Sequence, residues 1–298
     1  MIELGLKIDV DTERGTQIGV PNLLKLFDEL GIKATFLFAL GPDNTGRAIK
    51  RIFRPGFFQK ISRTGVVQVY GLKTLLNGVL WPGPNIAKKH SALMRDVGKS
   101  GHEVGIHCYD HIFWQDNLHK LKEPIVRQEV NKAHEAFQEV FGFLARTMGS
   151  AGWQASHHSL AAYDDHNLLY ASDTRGHKAF FPQVDRRTFT TLQIPTTLPT
   201  LDELLGRPEY PLESMTEHYI KLMQPKGLNV LTIHAELEGM AYFDWFKGFL
   251  IECLHHKIKI VPLKTMAHKL LEKKFDIPIL ALLQGTVDGR SGTLAIQG

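Results

Sequence analysis

The residues Leu4-Gly5-Leu6-Lys7-Ile8-Asp9-Val10-Asp11-Thr12 leave a folding chain little freedom. Leu4, Leu6, Ile8 and Val10 have the composition of a buried strand, and a repeat of two puts Asp9 and Asp11 on one face at its C-terminal end. Two carboxylates side by side on a core strand repel each other and lose hydration, so they need a compensating cation or a role that uses both. A divalent metal would supply that cation. The plainer alternative is that Asp11 or Thr12 caps a helix while Asp9 sits on a strand-to-loop turn.

A second stretch bears on that choice. Glu103 to His107 reads as another short buried strand, which Cys108, Tyr109, Asp110 and His111 continue into a turn or the start of a helix. A spacing of four lets His107 and His111 face one point if the segment is helical, as in two-histidine zinc sites. A chain with 15 histidines will contain such pairs by chance. What argues for a shared site is that both motifs fall at strand ends. Of the two cysteines, Cys253 reads as helical core, and Cys108 is either a thiolate beside a ligand or, more simply, small buried filler. They make no disulfide framework and fit a reducing compartment.

The rest of the 298 residues supplies the scaffold. A helix follows Asp11, with Pro21 near its start, Val20, Leu23, Leu24, Phe27 and Leu30 on one face, and Gly31 as its stop. Residues 33–39 form a second buried strand, so the chain opens β-α-β. Further short strands are expected at 147–151, 168–172, 191–195, 230–234 and 258–262, with helices at 86–99, from Pro124 to Gly142, and at 214–223, 242–255 and 263–273. Seven or eight parallel strands in about 270 residues fit a distorted (β/α) barrel related to the TIM barrel better than an open sheet. Such barrels carry their chemistry at the C-terminal ends of strands. Asp9, Asp11, His107, Ser150, Asp173 and His234 each close an expected strand. No linker or repeat divides the chain, so residues 1–298 read as one domain with an insertion over about 44–95.

That insertion is chemically distinct. From Asn44 to Arg95 there is no Asp or Glu, against ten Lys or Arg. Arg47, Lys50, Arg51 and Arg54 are interleaved with Phe53, Phe57 and Phe58, and Trp81 lies further on. Such a mixture suits an anionic membrane surface, the apolar groups entering the headgroup boundary and the cations meeting phosphate. A plain insertion packed on the barrel is the alternative. No nucleic-acid-binding motif accompanies it. No export signal precedes the first strand and no run of about 18 apolar residues occurs, which leads us to expect a cytosolic protein without a spanning helix.

His234 ends the apolar strand Asn229 to His234, where an imidazole calls for a reason; a buried histidine with a satisfied hydrogen bond is the bland one. If Asp11, His107 and His111 hold a metal, one position stays open for water. Asp9 can then take a proton from that water and His234 can protonate a leaving group, which is metal-assisted hydrolysis of an amide or ester.

These residues together resemble the polysaccharide deacetylase superfamily, whose members carry an Asp base and an Asp ligand on the first strand, a two-histidine motif and a late Leu-x-Ile-His. The matching residues here are Asp9 and Asp11, His107 and His111, and Leu231 to His234. The resemblance implies a distorted barrel. Dispersed segments extend the likeness over nearly the whole chain, among them Gly41-Pro42-Asp43-Asn44, Ala151-Gly152-Trp153, Ser172 to Gly176, Thr232 to Gly239 and Gly289-Arg290-Ser291-Gly292. They are similar to the branch of that superfamily that removes a formyl group from an amino-arabinose carried on undecaprenyl phosphate. That likeness implies work at the cytoplasmic face of a bacterial inner membrane, in the route that decorates lipid A and confers polymyxin resistance.

The expected metal is Zn²⁺, although Mn²⁺, Co²⁺ and Ni²⁺ accept the same ligands. The basic segment would neutralise the prenyl phosphate while its aromatic residues meet lipid, and Trp153 is a further candidate for substrate contact. Relatives place an arginine in the third motif to hold the catalytic Asp, whereas this chain reads Met148-Gly149-Ser150-Ala151 there. Arg175, next but one to Asp173, could take over. Val10 separates acids that are adjacent in many relatives, so the base and ligand roles of Asp9 and Asp11 could be exchanged. Glu236 and Glu238 could bind the sugar or its amine, or simply be solvated. Two other readings stay open: deacetylation of peptidoglycan or a chitooligosaccharide, and a catalytically silent metal- or lipid-binding barrel.

Overall fold

A computed structural model of the protein describes residues 1–48 and 76–298. Strand β1 (Glu3–Val10) is its pivot. One edge of β1 is shared: Glu3 to Gly5 pair with β10 (Lys259–Val261), and Lys7 to Val10 pair with β2 (Thr35–Ala39). The other edge pairs with β9 (Val230–His234), in a register that sets Asp9 opposite His234. From β2 the sheet runs through β3 (Glu103–Cys108), β4 (Thr147–Met148), β5 (Tyr170–Ala171) and β8 (Leu192–Gln193), every pair parallel. Just past β8 the chain closes on the start of β9, where Thr197 N and Leu198 N both donate to Val230 O at 3.1 Å. The result is a distorted (β/α) barrel with eight strands in its sheet.

Helices cover the outside because the strands alternate. Leu4, Leu6, Ile8 and Val10 point outward into one core with Leu23 and Phe27 of α1 (Val20–Leu30) and residues from later helices. Gly31 stops α1 in the left-handed conformation at φ 65°. Helix α2 (Ile86–Lys99) adds Ile86, Met94 and Val97 to that core, α3 (His111–Asn117) adds Trp114, and α4 (Glu123–Phe141) adds Val126, Val130 and Phe137. Helices α5 (His157–Asp165), α6 (Leu201–Leu204), α7 (Leu212–Leu222), α8 (Phe243–His255) and α9 (Leu263–Glu272) complete the described set. Among the described residues no helix is long and apolar enough to cross a membrane.

The inward-facing residues include several of the candidate site residues. Leu37 fills the barrel centre, and a Cβ on Gly105 or Gly149 would come within 2.7 Å and 2.5 Å of it. Those two glycines therefore let the third and fourth strands close on the first two. Around that plug the lining is polar: Lys7, Asp9, His107, Asp173 and Gln193 are all buried.

A second sheet was absent from the sequence-based expectation. It joins the hairpin β6 (Phe181–Val184) and β7 (Arg187–Thr188) to a second hairpin, β11 (Ile279–Gly285) and β12 (Leu294–Gln297). The last strand also brackets Arg175, whose N–H donates to Ala295 O at 3.0 Å and whose carbonyl accepts from Gln297 N at 2.9 Å.

Candidate metal centre and active site

Three elements bring the candidate ligands together. Asp11 follows β1 directly, His107 lies in β3 and His111 opens α3. The path between the two histidines is the expected one, strand into turn into the start of a helix, so a single helix is not what aims both at one point. A register shift between β2 and β3 accompanies the strand end, and Asp110 caps α3 by accepting from Phe113 N at 2.9 Å. His107 Nε2 then lies 3.2 Å from Asp11 Oδ1, and His111 Nε2 lies 3.5 Å from Asp11 Oδ2. The donor atoms of the three residues are all within 4.8 Å of one another.

The donor chemistry fits a divalent ion. Asp11 Oδ1 is buried and accepts no hydrogen bond in the structure. His107 Nδ1 donates to Gly149 O at 2.5 Å, which leaves Nε2 bare toward Asp11. Burial alone would raise the Asp11 pKa, but the imidazoles of His111 and His107 outweigh it and hold the carboxyl far below the usual range. For His107, burial disfavours the cation, yet the charges of Asp9 and Asp11 win and raise its pKa. A proton and a metal ion would therefore compete for the same imidazole.

Asp9 completes the cluster, 3.8 Å from His107 Nδ1, with Oδ1 buried and unbonded. The cation beside it is Lys7, which is fully buried. Its Nζ lies 3.6 Å from Asp9 Oδ2 and donates to Ser172 O at 3.1 Å, with the Trp153 ring centroid 5.4 Å away. Arg175 is engaged elsewhere: it donates to Glu203 Oε1, to Leu198 O at 3.0 Å and to Thr196 O at 3.3 Å. Lys7 thus stands where sequence reasoning offered Arg175, and the signal was available as a lysine in the middle of an apolar strand. Asp173 is buried and faces Ser150 N at 2.6 Å and Gln193 Nε2 at 3.0 Å, so it braces the third-motif loop.

On the adjacent strand, beside Asp9, His234 keeps Nδ1 buried without a hydrogen-bond partner, and its ring meets Trp153 edge-on at 6.4 Å. Glu236 and Glu238 are each 1% exposed, which rules out solvated acids. Glu236 Oε1 accepts from Asp11 N, Thr12 N and Thr12 Oγ1 at 3.1, 2.9 and 2.7 Å, and so fixes the turn that carries Asp11. Two π-helical turns, Gly15–Gly19 and Leu237–Ala241, pack together behind that contact. Trp153 is 2% exposed and lies inside the barrel mouth. Cys108 is buried, and burial pushes its thiol well up, which leaves it as core filler. Arg47 and Trp81 are exposed beside each other's turn, whereas Lys50, Arg51, Arg54, Phe57 and Phe58 lie outside the described residues.

Glu238 Oε2 accepts from His234 N at 3.0 Å, and burial pushes its pKa from 4.5 up to about 8. A carboxyl raised in the folded state favours folding at acid pH and loses that contribution as pH climbs from 4.5 through about 8, because the unfolded chain ionises first. Glu238→Gln keeps an acceptor and removes the titration. At about pH 9 it should be more stable than wild type by on the order of 3 kcal/mol, with the gap closing near pH 5. Thermal melts at the two pH values would expose a parallel pH dependence, which would refute a neutral buried Glu238.

The sequence profile of the family described as "Polysaccharide deacetylase" matches residues 12–171. A protein of Shewanella sediminis named "Probable 4-deoxy-4-formamido-L-arabinose-phosphoundecaprenol deformylase ArnD" is 38% identical over 295 residues, covering 99% of this chain and 94% of the relative. A protein of the same name from Wigglesworthia glossinidia brevipalpis is 34% identical, covering 95% and 98%. A putative polysaccharide deacetylase from Mycobacterium smegmatis shares the fold at TM-score 0.66 and 17% identity, over 96% of this chain and 95% of that one.

Proposed function

The chain belongs to the polysaccharide deacetylase family and is a hydrolase of an amide C–N bond, and from that premise we propose that it is a metal-dependent deformylase of 4-deoxy-4-formamido-L-arabinose-phosphoundecaprenol. The observation that carries the reading is the meeting of Asp9, Asp11, His107, His111 and His234 at one end of the barrel, in a chain whose two named relatives carry that activity in their names. Asp11, His107 and His111 would hold the ion, with Zn²⁺ favoured by one carboxylate and two imidazoles and Mn²⁺, Co²⁺ or Ni²⁺ accepted by the same set. A bound ion would acidify water and polarise the formyl carbonyl. Asp9 takes the proton of the attacking water, with the Lys7 Nζ 3.6 Å from its Oδ2. His234, across from Asp9 in the strand register, gives a proton to the departing amine nitrogen. Formate and the free amino sugar leave, and the new amine supplies the positive charge that lipid A modification and polymyxin resistance require.

A lipid-linked substrate argues for a reaction at a membrane surface, and the reading assigns it to the cytoplasmic face of the inner membrane. Val79, Leu80 and Trp81 support this, since the three are adjacent and 52%, 67% and 43% exposed. Arg47 Nε donates to Gly78 O at 3.1 Å in the same turn, so a cation flanks the apolar tip. The test is formate release from the lipid-linked formamido sugar in anionic vesicles, with and without chelator and beside the acetamido analogue. The expected result is chelator-sensitive formate with little acetate, and protein that sediments with the vesicles. Acetate in place of formate would move the protein to the general deacetylases. Metal uptake without either product would make it a silent barrel, and protein left in the supernatant would sink the membrane reading.

A further inference from the structure

A second recess lies one helical turn beyond His111. A cleft of about 260 Å³ opens between the end of α3 with the turn after it and the loop before β12, with Gln115, His119 and Lys120 on one side and Arg290 to Thr293 on the other. Its lining is polar and carries more base than acid. Asp116, the acid in the lining, is engaged within the protein.

Arg290 joins this cleft to the pocket already described. Its guanidinium lies 4.4 Å from the centroid of Trp153, the ring that Lys7 and His234 also approach. Arg290 Nη1 lies 3.5 Å from Glu203 and 3.7 Å from Asp202, yet it is buried without making a hydrogen bond. The loop it sits on turns through two left-handed glycines, Gly289 at φ 83° and Gly292 at φ 84°. A Cβ at Gly289 would fall 2.2 Å from Glu203 O, whereas Gly292 faces open space. Among the described residues the N–H groups of Ser291, Gly292 and Thr293 donate to no backbone carbonyl. Successive N–H groups left free in such a turn, beside an arginine, form a concave donor set suited to an oxyanion.

We propose that this cleft binds the phosphate that joins the sugar to its lipid carrier, with Arg290, Lys120 and the 291–293 loop as donors. The inference rests on the deformylase reading and names where that substrate's charge is held. The substituents at C1 and C4 of a six-membered sugar project from opposite ends of the ring. With the formamide at the metal centre, the sugar would lie along Trp153 and deliver its anomeric phosphate to Arg290. The basic segment that includes Lys50, Arg51 and Arg54 is then left to meet the membrane.

The experiment compares kcat/KM for the lipid-linked phosphate substrate and for a phosphate-free methyl glycoside of the same formamido sugar. Arg290→Met should lower the first by about 30-fold, mainly through KM, and the second by less than about threefold. Arg290→Lys should recover most of the loss, and Lys120→Met should show a smaller loss of the same kind. Equal losses on both substrates would mean that Arg290 only supports Trp153 and Glu203, and would overturn the proposal. So would a preference for phosphate that survives Arg290→Met but disappears when Lys50, Arg51 and Arg54 become methionine. Calorimetric titration of the metal-loaded protein with arabinose 1-phosphate separates the two readings. Binding lost in Arg290→Met supports the cleft even if neither substrate is deformylated, and binding unchanged in that variant refutes it.

Discussion

Replacing Lys7 by methionine is expected to lower kcat by two to three orders of magnitude, about the range a positioned general base contributes, while metal content stays at the wild-type level. Methionine matches the lysine stem in length and keeps the packing under Trp153, so the change removes a charge and little else. Asp9 Oδ2 then loses the cation 3.6 Å away, in a place where neither side chain meets solvent. A buried carboxylate left alone either destabilises the fold, by about 3 kcal/mol, or takes up a proton. In the second case it can no longer accept one from water. Lys7→Arg keeps the charge and should restore a substantial part of the rate. Full turnover in Lys7→Met would show that Asp9 needs no partner, and loss of metal along with rate would shift the explanation to the ligand set.

The second large effect is expected at Asp11. Asp11→Asn replaces the one anionic donor of the triad by a neutral amide and leaves two imidazoles. Loss of outer partners alone weakens metal sites 10- to 100-fold, so loss of the carboxylate should weaken this one by on the order of 10³ or more and take activity with it. Wild-type affinity should also climb as pH rises through and above 6.5, the ordinary histidine value from which His107 is raised, because the imidazole must shed its proton to bind. Elemental analysis after dialysis, and competition with a chelator at two pH values, would measure both. A variant that retains one ion per chain, or an affinity indifferent to pH, would mean that the ion sits elsewhere.

Much of this arrangement was legible from residue order. The alternation from Leu4 to Asp11 implied a strand with two faces, and Val230 to His234 appears with the expected bounds. The barrel followed because buried strands joined by helices have few other ways to bury both faces. The hairpins were not legible, since β11 alternates half-buried and exposed side chains and its partner β6 is remote in sequence. Nor was the pairing of cations. Sequence spacing suggested Arg175 for Asp9, but the barrel turns Lys7 inward beside Asp9 and brings Glu203 to Arg175. For Glu236 and Glu238 the sequence left solvation open beside substrate contact, because acids after a strand usually meet water; here both are buried where the second π-helical turn begins.

The pairing of β1 with β9 also sets a schedule. Thr12 and Glu236, which clasp each other beside the ligand turn, are 224 residues apart in sequence, and Asp9 waits for His234 across a similar interval. At the pace of translation, β1 leaves the ribosome on the order of ten seconds or more before its partner. During that time an apolar strand bearing Lys7 and two acids has β2 on one edge and nothing on the other. The charges that later serve the site would then act as gatekeepers, keeping the open edge from pairing with a neighbouring chain. Catalytic competence arrives late in synthesis, once β9 takes its place.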